Sequence, residues 1–217
     1  MVIDEFFFNV LCNVSFYSAF IPLIAAIINY KYIQKSLTSI FILLIIAIVV
    51  EVVGKLLREK GENNFFLFHG FTIIEFTLLS LFYYNFFKKY FNSLFIIVLI
   101  FGFVGVAFVD YKINGLNDMD SFSGSTECLI LTIYSLYLFY FVLQKLVFSN
   151  LLSQPVFWIN SAVLLYFAGN LLLFIFSNDL LKTDLTKHYL LWAVIHSFCN
   201  IFYNLFLTVG FWKAKIQ

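Results

Sequence analysis

The sequence predicts an all-α polytopic membrane protein, a single bundle of seven transmembrane helices formed by one domain over residues 1–217. Three observations carry that expectation. The chain is 63% hydrophobic and 22% aromatic but only 12% charged, more apolar surface than one soluble core of 217 residues hides. Apolar segments of about 18 to 25 residues, the length that a ~30 Å hydrocarbon layer requires of an α-helix, recur along the whole chain. Those segments are apolar on every face, whereas a membrane β-barrel needs strands of about ten residues that alternate apolar and polar.

In order, the spans run over residues 6–29, 36–56, 64–87, 92–110, 124–147, 155–177 and 188–212, and no segment is left for a soluble domain. The first follows Asp4 and Glu5, where a cleavable signal peptide carries Lys or Arg, and no small-residue cleavage site follows it, so it reads as a retained span. Pro22, deep in that span, is expected to kink it. The fourth, NSLFIIVLIFGFVGVAFVDY, has no ionisable group in its interior and GFVG at its centre. Pro155 opens the sixth, where a missing N–H costs least. Trp158 and Trp212 fall at one membrane boundary and Trp192 near the other, as interfacial aromatics do. Cys12, Cys128 and Cys199 lie within spans at unrelated spacings and read as packing residues, with no disulfide framework or zinc knuckle. A net charge of +1 offers no basic face and excludes nucleic acid as a partner.

Seven spans sort the loops into two sets. One holds the KYIQK turn, Lys88 and Lys89, Lys145, Lys213 and Lys215, and no acid. The other holds the N-terminus, GKLLREKGEN, DYKINGLNDMDS and SNDLLKTDLTK; its Lys and Arg residues are nearly as many, and the acids lie there or in the spans. We take the acid-free side as cytoplasmic, with the N-terminus outside and the C-terminus inside a bacterial inner membrane. The NDMD run is expected to be a solvated acidic turn, since it lacks the glycine and distal glutamate of a calcium loop.

Each polar group within a span costs a few kcal/mol on insertion scales, so its depth is informative. Glu51 lies late in the second span, His69 and Glu75 early to midway in the third, Glu127 at the start of the fifth, Asn170 late in the sixth and His196 early in the seventh. By the assumed threading all six fall in the outer half. His196, Asn200, Asn204 and Thr208 are spaced by four and form one helical stripe that cannot face lipid. Further stripes are His69, Thr72 and Glu75; Tyr166 and Asn170; and Asn9 and Asn13. The seventh-helix stripe is expected to face polar groups on spans one, three, five and six. Set against one another, His69, Glu75, Glu127, Asn170, His196 and Asn200 would line one pocket open to the outside, with Glu51 at its rim.

A structural reading stands beside this. An intramembrane Asn or His is often an interhelical hydrogen bond worth about 0.6 kcal/mol that sets helix register and binds nothing. Glu51 has Lys55 four residues on and Arg58 close by, the pattern of an interfacial ion pair. Glu75 has no basic residue within a turn on its own helix, so its carboxyl must be protonated, paired from another helix, or wetted.

Two histidines and three glutamates at one depth suit a zinc site of the His2Glu kind, but no H-E-x-x-H is present, and six residues separate His69 from Glu75, about 9 Å along the axis. A retinal Schiff base is excluded, since the seventh span has no lysine between His188 and Trp212. The segments FHGFTIIEF, PVFWINSAVLLYFAGNLLLF and HSFCNIFYNLFLTVGFW resemble an uncharacterised family of small seven-span bacterial integral membrane proteins. The resemblance covers most of the chain; it implies the span count and no activity.

The role these residues fit is a ligand-binding sensor or receptor-like subunit for a small polar ligand. With such short cytoplasmic loops, it would act through a separate membrane partner. Three alternatives use the same side chains: a small-solute transporter built as 3+1+3 helices with the fourth as linker, an intramembrane metal-dependent hydrolase, and a scaffold subunit whose polar stripes only order helices. The sequence identifies no cofactor.

Overall fold

A computed structural model describes residues 5–183 and 185–216, most of them helical and with no strand among them. Asp4 and Asp184, counted above with the acid-rich loops, lie outside the described residues. Seven helical segments are long and apolar enough to cross a membrane: Phe7–Ile28, Lys35–Glu59, Phe65–Phe87, Leu94–Asn114, Ser121–Lys145, Pro155–Leu180 and Val194–Lys213. They match the seven expected spans and fit insertion into a lipid bilayer.

The first span is two helices, α1 (Glu5–Ser18) and α2 (Phe20–Ile28), broken at Ala19. The break lies within one turn of Pro22, whose ring nitrogen has no hydrogen for the carbonyl of Ser18 and crowds it. Asn29 ends α2 by donating its side-chain amide to the Ala25 carbonyl at 3.0 Å. Helix α3 (Lys35–Glu59) closes on Gly61, whose φ of 73° lets the chain turn back over the last carbonyls. Helices α4 (Phe65–Phe87) and α5 (Leu94–Asn114) open alike: Asn63 and Asn92 each accept a hydrogen bond from the backbone N–H two residues on, at 2.8 and 3.1 Å. Helix α6 (Ser121–Lys145) follows a short loop through Gly115, and α7 (Pro155–Thr183) begins on its proline.

Two boundaries differ from the sequence reading. Helix α7 continues to Thr183, and α8 (Leu185–Leu191) begins almost at once, so the segment SNDLLKTDLTK, expected as a loop, is largely helical. It contains no glycine or proline to stop a helix. A π-helical turn, Trp192–His196, then leads into α9 (Ser197–Lys213), placing His196 where the backbone is out of register with the helix that follows.

By contact density the chain divides into two compact units, one of Met1–Ile33 with Cys128–Gln217 and one of Gln34–Glu127. The first therefore combines spans one, five, six and seven, and the second spans two, three and four. That partition differs from the 3+1+3 grouping: the fourth span is no free linker but packs on α4, where Phe76 and Phe103 stack with ring centroids 4.0 Å apart.

In the first unit the tightest approach is between α7 and α9. A Cβ on Gly169 would lie 2.5 Å from Cys199 Sγ, and one on Gly210 would lie 2.7 Å from Ile159 Cγ1 and 3.4 Å from the Pro155 carbonyl. Small residues that let backbones close in this way are how helices associate in lipid, where burial alone supplies little drive. In the second unit the buried face of α4 changes character along its length. His69, Thr72 and Glu75 come first; Leu79, Phe82, Tyr83, Phe86 and Phe87 follow.

Gly210→Ala is expected to destabilise the fold by about 1–3 kcal/mol, the usual cost of overpacking, lowering the thermal midpoint in detergent. Gly102→Ala, where nothing lies within 4 Å of the new methyl, is expected to leave it nearly unchanged. Equal midpoints for the two variants would show that α7 and α9 do not cross so closely.

Candidate functional site

The second unit gathers carboxyls. Glu51 on α3, Glu75 on α4, Asp120 in the loop before α6 and Glu127 on α6 are linked electrostatically through Glu75: Glu75 feels Asp120 and Glu51, and Glu127 feels Glu75 and Asp120. Arg58 reaches Glu51, and His69 reaches Asp120. Glu51, His69, Glu75 and Glu127, four of the residues expected to line one pocket, lie in this unit.

Asp120 was not expected there. The NDMD run, read as a solvated turn, folds inward instead. Met119 is buried and Asp120 is only 2% exposed. Three contacts hold the loop to the start of α4. Asn63 donates its side-chain amide to the Asn117 carbonyl at 3.0 Å; His69 Nε2 donates to the Asp118 carbonyl at 3.1 Å; the Thr72 hydroxyl donates to Asp120 Oδ2. The carbonyl can only accept, so His69 carries a hydrogen on Nε2, as both the imidazolium and one neutral tautomer do. Gly115, with φ at 74°, makes the turn that sends the loop back.

Asp120 immediately precedes α6, where an aspartate normally caps the helix by accepting from its first N–H groups. Its carboxylate goes to Thr72, and Asp110 from α5 takes over: its Oδ2 accepts the Ser123 backbone N–H at 2.8 Å and the Ser123 hydroxyl at 2.6 Å, and its Oδ1 accepts the Asn114 amide at 2.5 Å. Asp110 is thus a cap supplied from another helix, saturated with donors. Glu127 is the opposite case. It is 2% exposed, and its Oε1 is buried without a hydrogen-bond partner.

Asn170, His196 and Asn200 belong to the first unit and form a ladder of neutral pairs. Asn170 donates to the Tyr166 carbonyl at 2.7 Å, which turns its Oδ1 toward His196 Nδ1 at 3.3 Å. The His196 ring lies against Trp192 and Tyr166, at centroid distances of 4.7 and 5.7 Å. Asn200 and Asn204 donate to the hydroxyls of Ser15 and Ser18, each at 2.9 Å, and Thr208 returns to the Asn204 carbonyl at 2.7 Å. The stripe on α9 therefore faces inward as expected and meets spans one and six. Its partners on span one are Ser15 and Ser18, whereas Asn9 and Asn13, expected to form that stripe, are exposed. Ser15 and Ser18 are three apart and weakly polar, a signal easily passed over beside two asparagines.

A second pair went unread. Asn160 on α7 donates to the Ser135 carbonyl at 3.0 Å, and the Ser135 hydroxyl donates to the Asn160 carbonyl at 2.9 Å, with both residues wholly buried. Among the described residues no three of His, Cys, Asp and Glu converge closely enough to hold a metal ion.

No protein-family model, curated protein or solved structure matches this chain.

Two predictions follow from the acidic unit. Asp110→Ala strands the donors of Ser123 and Asn114 and is expected to cost about 1–3 kcal/mol, read as a lowered unfolding midpoint. A midpoint matching the wild type would mean that Asp110 is no cap. Burial pushes the Asp120 carboxyl above its ordinary value of 3.8, against the Thr72 hydrogen bond and the His69 charge, and Asp110 adds to the rise. A carboxyl raised in the folded state binds more protons there than when unfolded, so its contribution to stability declines as pH rises. The midpoint of the wild type relative to Asp120→Asn, which keeps His69, Asp110, Glu75 and Glu127, is expected to fall as pH rises above 3.8. A difference flat in pH would refute it.

Proposed function

We propose that the chain is a receptor-like or sensor subunit of a bacterial inner membrane that takes a small polar ligand into its acidic unit and acts through a separate membrane partner. The observation that supports this best is the pairing of Glu127, a buried carboxyl with an unfilled acceptor, with the inward-folded 115–120 loop. A loop at the aqueous end of two spans, hydrogen-bonded over ionisable groups, is a route by which occupancy of the site alters a solvent-facing segment. Glu51, His69, Glu75 and Glu127 are the ligand residues of this reading, with Asp120 added. The cytoplasmic loops are too short for an output domain, which leaves a membrane partner to receive the signal.

The scaffold reading is favoured for the first unit, where Asn160, Asn200 and Asn204 each make a hydrogen bond to a neighbouring helix. Such pairs set helix register. A transporter of 3+1+3 repeats draws no support from the grouping of spans in the two units.

By this reading the acidic loops face outward. Reporter fusions at Gln34 and Leu116 are expected to report inside and outside respectively, and a cytoplasmic signal from Leu116 would invert the threading. Affinity purification from native membranes is expected to recover an integral membrane partner in stoichiometric amount, with its retention altered by Glu127→Gln. Recovery of a lone chain would overturn the receptor assignment.

A further inference from the structure

Thr72 donates to the Asp120 carboxylate, Glu75 lies one turn further along the same buried face of α4, and Glu127, seven residues on from Asp120, is 2% exposed with its Oε1 unpartnered; Glu51 on α3 lies within electrostatic reach of Glu75. We propose that this group binds a small organic cation through its primary ammonium, with Glu127 Oε1 and the Glu75 carboxyl as its principal acceptors. The assignment rests on the acidic unit being the ligand-binding unit, and it names the ligand's class.

The chemistry follows from what the site offers and lacks. An ionised carboxylate only accepts, so a positively charged donor both fills the open acceptor of Glu127 and favours the ionised form of the carboxyls around it. The titratable groups of this unit around the site are Glu51, Lys55 and the exposed Arg58 from α3, His69 and Glu75 from α4, Asp120 from the loop and Glu127 from α6. Asp110 of α5 is close but already saturated by Ser123 and Asn114.

A metal ion needs at least three ligands drawn to ~2.0–2.5 Å from one point, and no such set exists among the described residues. An ammonium holds its acceptors farther out, at about 2.7–2.9 Å from the nitrogen, through three rotatable donors. Two acceptors, Glu127 Oε1 and an oxygen of Glu75, are enough to hold it, fewer than a metal ion requires. The loop contacts at His69 and Thr72 put the site beneath a solvent-facing segment, which suits a ligand that arrives from water and leaves its hydration there.

The test uses the full chain in lipid nanodiscs, with methylammonium and putrescine as probes and sodium and tetramethylammonium as controls at matched ionic strength. Calorimetry on the wild type is expected to show saturable binding of the primary amines and none of tetramethylammonium, which carries the charge without an N–H. Glu127→Gln and Glu75→Gln are expected to weaken binding at least tenfold, while Asn200→Ala, in the other unit, leaves it unchanged. Because a carboxyl variant can misfold, a wild-type thermal shift is measured as well. A midpoint raised by methylammonium but not by equal sodium or tetramethylammonium supports the site without any variant. Equal responses to all four cations would show charge screening alone and overturn the proposal, as would amine binding that survives both glutamine variants. If the wild type binds no amine yet retains its membrane partner, the ammonium assignment falls and the receptor reading stands; if neither is found, both fall.

Discussion

Lipid offers no hydrogen bonds, and nearly everything particular about this protein follows from that. In water an asparagine or glutamate on a helix surface is satisfied wherever it points. In a bilayer it must be met by another protein group, reach the aqueous edge, or carry a free-energy cost of a few kcal/mol. The apolar residues decide that there are seven long helices. Which face of each turns inward is decided by its few polar residues.

The two compact units answer that demand with different chemistry. The first joins neutral groups across helices: amide with hydroxyl at Asn200–Ser15 and Asn204–Ser18, amide with carbonyl at Asn160–Ser135, and amide with imidazole at Asn170–His196. Pairs of this kind, with Gly169 and Gly210, describe helices held in fixed register. The second uses carboxyls, which only accept when ionised. Asp110 collects three donors, and Asp120 has its threonine. Glu127 Oε1 collects none. An open acceptor on a buried carboxyl is what marks this unit as the candidate binding site.

The exchange of roles between Asp110 and Asp120 ties the loop to the site. Had Asp120 capped α6 in the ordinary way, its carboxylate would have stayed at the helix start. Because Asp110 supplies the cap from α5, Asp120 is free to accept from Thr72, and the segment from Asn117 to Asp120 is drawn over the first turns of α4. One substituted cap thereby turns an acidic loop into part of a buried cluster.

The sequence by itself determined the class of solvent, the number of spans, the break near Pro22 and the inward face of the α9 stripe. Each of these depends on composition or on a period of about four residues, which is local information. It also singled out Glu51, His69, Glu75 and Glu127, because an ionisable residue in an apolar run is conspicuous wherever its partners are. Only the tertiary structure decided which polar groups meet. Asp120 read as solvent-facing because NDMD looks like a turn, and its burial depends on Thr72, 48 residues earlier. Asn9 and Asn13 seemed the natural partners for the α9 amides, yet α1 presents Ser15 and Ser18 instead, 185 and 186 residues from the asparagines they meet. Helical spacing says which residues of one helix share a face. It says nothing of the rotation and depth at which another helix docks against them, and those are set by close packing such as that at Gly169 and Gly210.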